Sequence, residues 1–136
     1  MCGRNDVKDG NSLNKGSAGE KVALEELLKR GLVFLGSNVR IGHKEIDLIM
    51  DGSNAIHFIE VKSCFDSGNC GFGGPFSPLF RVDRTKRLRL LKAADSYLKS
   101  RKILKDAVFD IVLVNFDAGG RPCVEVIEDA FNAVTG

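Results

Sequence analysis

The sequence predicts an α/β domain in which helices and strands follow one another in the order α-β-β-β-α-β-β. Apolar residues recur at the spacing of an amphipathic helix near 17–31 and 82–102. Val- and Ile-rich runs bounded by turn residues fill 32–63 and 107–127 instead, which is typical of strands. With 136 residues, the chain suits one domain with one core.

The first helix is predicted to begin at a capping box, in which Ser17 accepts a hydrogen bond from a first-turn amide and Glu20 reaches back. Its apolar face would be Ala23, Leu24, Leu27 and Leu28. Gly31 stands where a helix C-cap is expected. Residues 1–15 are rich in polar side chains and predict a flexible leader, which leaves 16–136 as the domain.

Three strands are predicted next, and they should form an antiparallel meander. The first spans 32–40 and bends at Gly36, and the other two span 45–50 and 55–63. Asp51-Gly52-Ser53-Asn54 joins the last two as a hairpin turn. Residues 64–78 hold four glycines and two prolines, which predict a loop.

A basic amphipathic helix is predicted over 82–102, with Leu88, Leu91, Ala94, Tyr97 and Leu98 on its apolar face. Two strands should follow at 107–116 and 123–127, and a short helical tail at 128–134. The amino terminus is polar and no apolar run is long enough to span a membrane, so we expect a soluble cytoplasmic protein. Four cysteines without paired spacing predict free thiols.

The hairpin carries charged residues where a strand pair would be expected to be apolar. Side chains alternate along a strand, so Glu45 and Asp47 share a face, as do Glu60 and Lys62. A two-residue loop places Glu45 opposite Glu60, and a four-residue loop places Asp47 opposite Glu60. Either loop puts the charges on one face and sends Ile46, Leu48, Ile59 and Val61 into the core, whereas a three-residue loop does not.

Facing carboxylates repel one another, and the free-energy cost is relieved by a bound cation. The oxygens of Glu45, Asp47 and Glu60 suit a hard ion such as Mg²⁺ or Mn²⁺. Lys62 is then placed to polarise a water or to stabilise charge on a phosphoryl group. A solvated, salt-bridged face is the plainer interpretation. His57 should face away from these acids as a core residue, and His43 should lie in a surface turn.

Charge is distributed unevenly along the chain. Residues 81–105 hold ten basic and two acidic residues, a net +8, whereas the remaining ten basic and sixteen acidic residues give −6. Such polarisation favours a polyanion as partner. We expect nucleic acid, and DNA in particular, to contact the start of the second helix through Arg81, Arg84, Lys86 and Arg87.

Asp47, Glu60 and Lys62 resemble the PD-(D/E)xK signature of restriction-endonuclease-like nucleases. The wider pattern is similar to the YraN-like family of bacterial proteins, which is distantly similar to archaeal Holliday-junction resolvases. It comprises Gly19-Glu20, Asn38, Arg40, EIDLI, FIEVK, Val82, Lys86 and AADSYL. Lys44 stands where the family usually has Gly, and Ser63-Cys64 stand where an Arg is common.

The resemblance implies a mixed central sheet flanked by helices. It also implies a metal-dependent endonuclease that hydrolyses DNA phosphodiester bonds at branched or junction structures rather than at long sequences. It implies that Asp47 and Glu60 are metal ligands, that Lys62 is the catalytic lysine and that Glu20 is a further ligand or holds a water. The alternative is a nucleic-acid-binding module that keeps this fold but does not cut. Nucleases that cut both strands are commonly dimers, so a homodimer is also expected, through an exposed strand such as 122–127.

Overall fold

The structure is a computed structural model that describes residues 14–65 and 84–131. Its elements are α1 (Asn14–Lys29), β1 (Val33–Ile41), β2 (Lys44–Asp51), β3 (Ala55–Phe65), α2 (Arg84–Ser100), β4 (Asp106–Phe116) and β5 (Pro122–Phe131). This order confirms the predicted α-β-β-β-α-β-β succession. The predicted leader lies outside the described residues except for its last two, which belong to α1, and so does the predicted loop beyond Phe65.

The five strands form one sheet in the order β1-β2-β3-β4-β5. All neighbouring strands are antiparallel except β3 and β4, which run parallel in an eleven-residue register. A parallel pair needs a long crossover, and the segment containing α2 supplies it. The sheet is therefore mixed, in agreement with a restriction-endonuclease-like α/β fold, and the β1-β2-β3 meander is confirmed.

Each face of the sheet is covered by one helix. Ala23 and Leu27 of α1 pack on a cluster formed by Leu48, Met50, Ile59, Val112, Val114 and Phe116. On the other face, Leu90, Ala94 and Tyr97 of α2 pack on Ile46, Ile49, Ile56, Phe58 and Phe109. The alternation of side chains along the central strands supplies both clusters, so the core lies in two layers.

Helix α1 ends as predicted but does not begin as predicted. The capping box at Ser17 is wrong, because α1 begins at Asn14 and Glu20 lies inside the helix, where its carboxylate accepts from Asn38. The C-cap is confirmed. Gly31 adopts a φ of 94°, its N–H donates to Leu28, and the N–H of Leu32 donates to Leu27, which is a Schellman motif.

The second helix is rotated relative to the predicted apolar face. Leu88 is 52% exposed, whereas Leu90 is 6% exposed and contacts the sheet. Ala94 and Tyr97 are buried as expected, and the Tyr97 ring meets the Phe58 ring edge-on at 5.7 Å. The rotation decides which basic residues of α2 face solvent.

The predicted helical tail is wrong over its described part, because β5 continues to Phe131. Asp129 adopts a left-handed φ of 52°, and its N–H donates to the buried carboxylate of Asp110 at 2.8 Å. The pairing with β4 shifts at this point, and Phe131 rejoins the ladder opposite Phe109. A side chain of β4 thus replaces a ladder bond and lets the strand extend.

Among the described residues, no helix is both long and apolar enough to cross a membrane. Cys123 is a free, exposed thiol. Cys64 is disulfide-bonded, so the prediction of free thiols is wrong at this position. Its bonding partner lies outside the described residues.

Candidate active site

The strands β2 and β3 separate next to Asp47. Their ladder runs from Asp51 opposite Ile56 to Leu48 opposite Ile59, which is the four-residue-loop register. Beyond it, the Asp47 carboxylate accepts the N–H of Val61 at 2.9 Å. A side chain thus satisfies a backbone donor that would otherwise lack its ladder partner. The carboxylate of Asp47 is thereby held against β3, beside Glu60.

Strand β1, which pairs with the other edge of β2, is irregular beside Asp47. Ser37 pairs with Leu48 and Val39 with Ile46, so Asn38 falls level with Asp47, and it adopts a left-handed φ of 50°. This kink accompanies a change of face, because Leu48 packs towards α1 whereas Ile46 packs towards α2. The prediction that Ile46 shares one core face with Leu48, Ile59 and Val61 is therefore wrong, although the other three do pack together.

Glu20 is brought to this site from α1. The helix approaches β3 closely at Gly19, where an added Cβ would collide with the side-chain oxygen of Ser63. One residue further on, the Glu20 carboxylate accepts a hydrogen bond from the Asn38 side-chain amide at 3.1 Å. A glycine on the packed side of α1 therefore sets the approach of the helix, and Asn38 orients the acid.

Four carboxylates act on one another here. Burial raises the pKa of Glu20 to about 7, with help from the negative charges of Asp47 and Glu45. Burial also raises the pKa of Asp47, and the charges of Glu60 and Glu45 add to it, whereas the Val61 hydrogen bond and the Lys62 charge oppose the rise. The acids come from α1, β2 and β3, so the fold, rather than one motif, concentrates the negative charge.

Lys62 supplies positive charge within the cluster. Its ammonium lies 2.9 Å from the Glu60 carboxylate, and both side chains are about 30% exposed, at 27% and 31%. Because the two residues are separated by one position on β3, they project to the same side of the strand. Glu45 is exposed at the start of β2, where Arg40 of β1 is its cross-strand neighbour.

A small cleft of about 70 Å³ opens between these acids and the core, with room for several waters. Glu45, Asp47 and Glu60 line it together with apolar side chains such as Phe58 and Leu90. It is a mixed surface, with polar oxygens facing an apolar wall.

The donor set fits a hard divalent cation. The carboxyl groups offer oxygen ligands, and the pKa values of Glu20 and Asp47 are raised first by burial and then by neighbouring negative charges, which a cation would offset. Among the described residues, no three His, Cys, Asp or Glu side chains already stand together as a metal cage. Mg²⁺ does not require one, since it typically takes one or two protein carboxylates and keeps waters or phosphate oxygens as its other ligands.

The residues predicted to contact nucleic acid are described only in part. Arg81 lies outside the described residues, and Arg84 and Lys86 belong to α2 while their side chains lie outside the description. Arg87 is half-buried, on the helix face that also carries Leu90, and its buried Nε has no hydrogen-bond partner among the described residues. A guanidinium with an unpaired buried donor is suited to an anionic ligand.

The two histidines lie apart from each other. His43 is exposed in the β1–β2 turn, as predicted. His57 is half-buried rather than packed in the core, and its Nδ1 lies 2.7 Å from the carboxylate of Asp110, which is 3% exposed. Sequence reasoning missed Asp110, although a lone acid within the apolar run of β4 was the available signal.

A five-stranded mixed sheet with a helix on each face and an acidic cluster at separated strands defines an α/β protein of restriction-endonuclease-like architecture. A family model described as "Uncharacterised protein family UPF0102" matches residues 19–114. The chain belongs to this family, which is the YraN-like group.

Individual relatives match over most of their length. A UPF0102 protein of Pseudomonas paraeruginosa is 33% identical over 126 residues, which cover 90% of this chain and 96% of the relative. One of Shewanella frigidimarina is 39% identical, over 77% of this chain and 92% of the relative. A UPF0102 protein of Clostridium kluyveri is 36% identical, over 88% of this chain and 97% of the relative.

Proposed function

We propose that this protein is an endonuclease that hydrolyses DNA phosphodiester bonds with Mg²⁺ or Mn²⁺, and that it selects branched or junction DNA rather than a long sequence. One observation carries the proposal. Where β2 and β3 separate, the carboxylate of Asp47 interacts electrostatically with Glu20, Glu45 and Glu60, and the ammonium of Lys62 lies against Glu60. Acids with uncompensated negative charge next to a single lysine suit metal-assisted phosphodiester hydrolysis.

Asp47 and Glu60 would hold the cation, and Glu45 at the rim would contribute a further oxygen. When bound, a divalent cation stabilises charge on the phosphoryl group and lowers the pKa of a coordinated water. The Val61 N–H keeps one Asp47 oxygen in place at 2.9 Å. Glu20, oriented by Asn38, would hold a water at the edge of the cluster.

Lys62 would stabilise the negative charge that develops during hydrolysis. Its ammonium already lies against Glu60, so the lysine is held at the site before any substrate binds. An ammonium has three N–H donors, and the contact with Glu60 uses one. The other donors can point to a phosphoryl oxygen or to the attacking water, which is the role expected of an electrostatic stabiliser.

The basic segment at 81–105 would hold the DNA backbone. Its net charge of +8 exceeds what ion pairs along the helix could neutralise. The sequence-based candidates stay Arg81, Arg84, Lys86 and Arg87. The Nε of Arg87, which has no hydrogen-bond partner among the described residues, supports one of them. Contacts of this kind read backbone shape and charge rather than base sequence.

The proposal extends to a homodimer in the cytoplasm. Both β1 and β5 are edge strands of the sheet, so either could pair with a second chain. On β1, Val33, Phe34 and Leu35 are exposed apolar residues, which favours this edge over the predicted 122–127 edge. Light scattering of the purified protein, with Phe34→Glu as the variant, tests the assembly.

The central experiment measures cleavage of labelled junction, single-stranded and duplex DNA, and of RNA, with Mg²⁺, with Mn²⁺ and with EDTA. We expect cleavage that depends on the metal and is greatest for branched DNA. Asp47→Asn and Glu60→Gln should each reduce it by at least a hundredfold, and Lys62→Gln by a comparable amount. Asp51→Asn is the matched control, since Asp51 lies on the same strand at the hairpin end.

Cleavage that survives Asp47→Asn and Glu60→Gln would contradict the proposed site. The Glu60–Lys62 ion pair and the lack of a ready metal cage among the described residues favour one other function, a nucleic-acid-binding module that does not cut. Calorimetric titration with Mn²⁺ separates the two. The enzyme should bind the ion and lose binding in Asp47→Asn, whereas the module should bind DNA but no ion.

A further inference from the structure

A large basic cleft lies beside the acidic site. It occupies about 810 Å³ between the β1–β2 turn and one face of α2. Its polar lining residues are His43, Lys44, Thr85, Arg89, Lys92 and Ser96. His43 comes from the turn, Lys44 from the first position of β2 and the other four from α2, so separate parts of the fold contribute hydrogen-bond donors to one concave surface.

The cleft carries positive charge that the described residues do not neutralise. None of the described side chains that line it is acidic. In the part of the chain that the structure describes, Arg89 and Lys92 form no ion pair, whereas the neighbouring acid Asp95 is paired with Lys99 at 3.2 Å. Basic residues gathered in a concave surface without counter-charges raise the local potential and favour an anionic ligand.

The helix side of the cleft is long enough for several phosphates. Thr85, Arg89, Lys92 and Ser96 recur at spacings of four, three and four, which places them on one face of α2. At 1.5 Å per residue they extend over about 16 Å. Backbone phosphates of one duplex strand advance about 3.4 Å each along the axis, so this face would follow about five of them.

Lys44 connects the cleft with the candidate active site. It lines the large basic cleft and also the small cleft that contains Glu45, Asp47 and Glu60. A strand held by Arg89 and Lys92 would therefore reach the carboxylates past Lys44. The arrangement supplies what an acidic site lacks, a neighbouring surface that attracts a polyanion.

We infer that this cleft binds the phosphate backbone of duplex DNA and guides it to the carboxylates, with Arg89 and Lys92 as the main contacts. The inference rests on the proposed function and deepens it. It places the contacts on a face of α2 different from that of Arg87. A duplex is favoured over a single strand, because no described lining residue is Phe, Tyr or Trp, the side chains on which unpaired bases stack.

The test measures binding of the full chain to a fluorescent 20-base-pair duplex by anisotropy, in EDTA, between 50 and 200 mM salt. Each phosphate contact contributes about 0.9 to the slope of log affinity against log salt. Arg89→Ala/Lys92→Ala should therefore make the slope less steep by about 1.8. The ratio of wild-type affinity to variant affinity should accordingly fall about tenfold between 50 and 200 mM salt. Lys29→Ala/Arg121→Ala removes two exposed charges outside the basic segment at 81–105 and should leave the slope unchanged.

The outcomes separate this inference from the nuclease proposal. If the protein cuts no substrate but the cleft variant shows the slope change, the cleft assignment holds and the nuclease proposal fails. If the protein cuts DNA while the cleft variant binds like the control variant, the cleft assignment is overturned. Wild-type protein that fails to bind the duplex, or that binds a single strand of equal length as tightly, also overturns it. Thermal unfolding verifies that both variants fold.

Discussion

Replacing Glu20 with Gln removes one negative charge from the acidic cluster and keeps the size of the side chain. The pKa of Glu20 is raised from 4.5 to about 7, chiefly by burial and then by the charges of Asp47 and Glu45. The folded protein therefore binds this proton more tightly than the unfolded chain. Ionising the carboxyl destabilises the fold, and stability falls as the pH rises from about 4.5 through 7. Gln mimics the protonated acid at every pH.

The magnitude follows from the size of the pKa change. The difference between 4.5 and about 7 corresponds to about 3 kcal/mol, at about 1.4 kcal/mol per pKa unit. Glu20 is half-buried, and solvent screening reduces this to about 1 to 2 kcal/mol. We therefore expect Glu20→Gln to raise the free energy of unfolding by about 1 to 2 kcal/mol at pH 8 and to have little effect at pH 4.5.

Urea unfolding at a series of pH values, in EDTA, measures this difference. Glu25→Gln is the control, because Glu25 is an exposed acid on the same helix and its replacement should leave the pH profile parallel to that of the wild type. A Glu20→Gln protein that is less stable than wild type by the same amount at pH 4.5 and pH 8 would refute the reasoning. The Asn38 hydrogen bond would then outweigh the repulsion.

Three further predictions concern the fold that supports the site. The hydrogen bond to Asp110 raises the pKa of His57, so the stabilising contribution of the protonated ring is full below about 6.5 and is lost as the pH rises through the raised value. His57→Gln should accordingly cost about 1 kcal/mol at pH 5.5 and less at pH 9 in urea titrations; an equal loss at both would contradict the ion pair. Gly19→Ala should lower the free energy of unfolding by about 1 to 2 kcal/mol, because its Cβ meets the Ser63 side chain, and Ser63→Ala should restore part of the loss. Full stability in the single variant would mean that α1 can shift freely. Leu27→Ala should cost about 2 to 5 kcal/mol in thermal or urea unfolding, since Leu27 is 1% exposed between α1 and the sheet, and a loss below 1 kcal/mol would count against tight packing there.

Local pattern was sufficient to predict the succession of helices and strands along the chain and the hairpin. Alternation along β2 and β3 predicted that either Glu45 or Asp47 would lie opposite Glu60, and the structure shows the register of the four-residue loop, which is the second alternative. These features depend only on residues near one another in sequence. For the same reason the C-cap at Gly31 was predictable.

Features that depend on packing between elements were not predictable. The rotation of α2 is set by how Leu90 and Tyr97 meet the sheet, and it turned Leu88 outwards. The change of face at Ile46 accompanies the left-handed conformation of Asn38, a residue on the neighbouring strand. The extension of β5 depends on a buried carboxylate of β4. In each case a contact between distant residues overrides the local propensity.

The hydrogen bond from the Val61 amide to Asp47 has a spectroscopic consequence. Most amides of β3 report on the backbone ladder, whereas this proton is held by the carboxylate proposed to bind the metal. A cation that binds Asp47, or a phosphate that binds beside it, will change the electron density at the oxygen that accepts the Val61 N–H. The chemical shift of the Val61 amide will change as a result. A single backbone signal of the free protein can therefore follow occupancy of the site during a titration, without a substrate and without turnover.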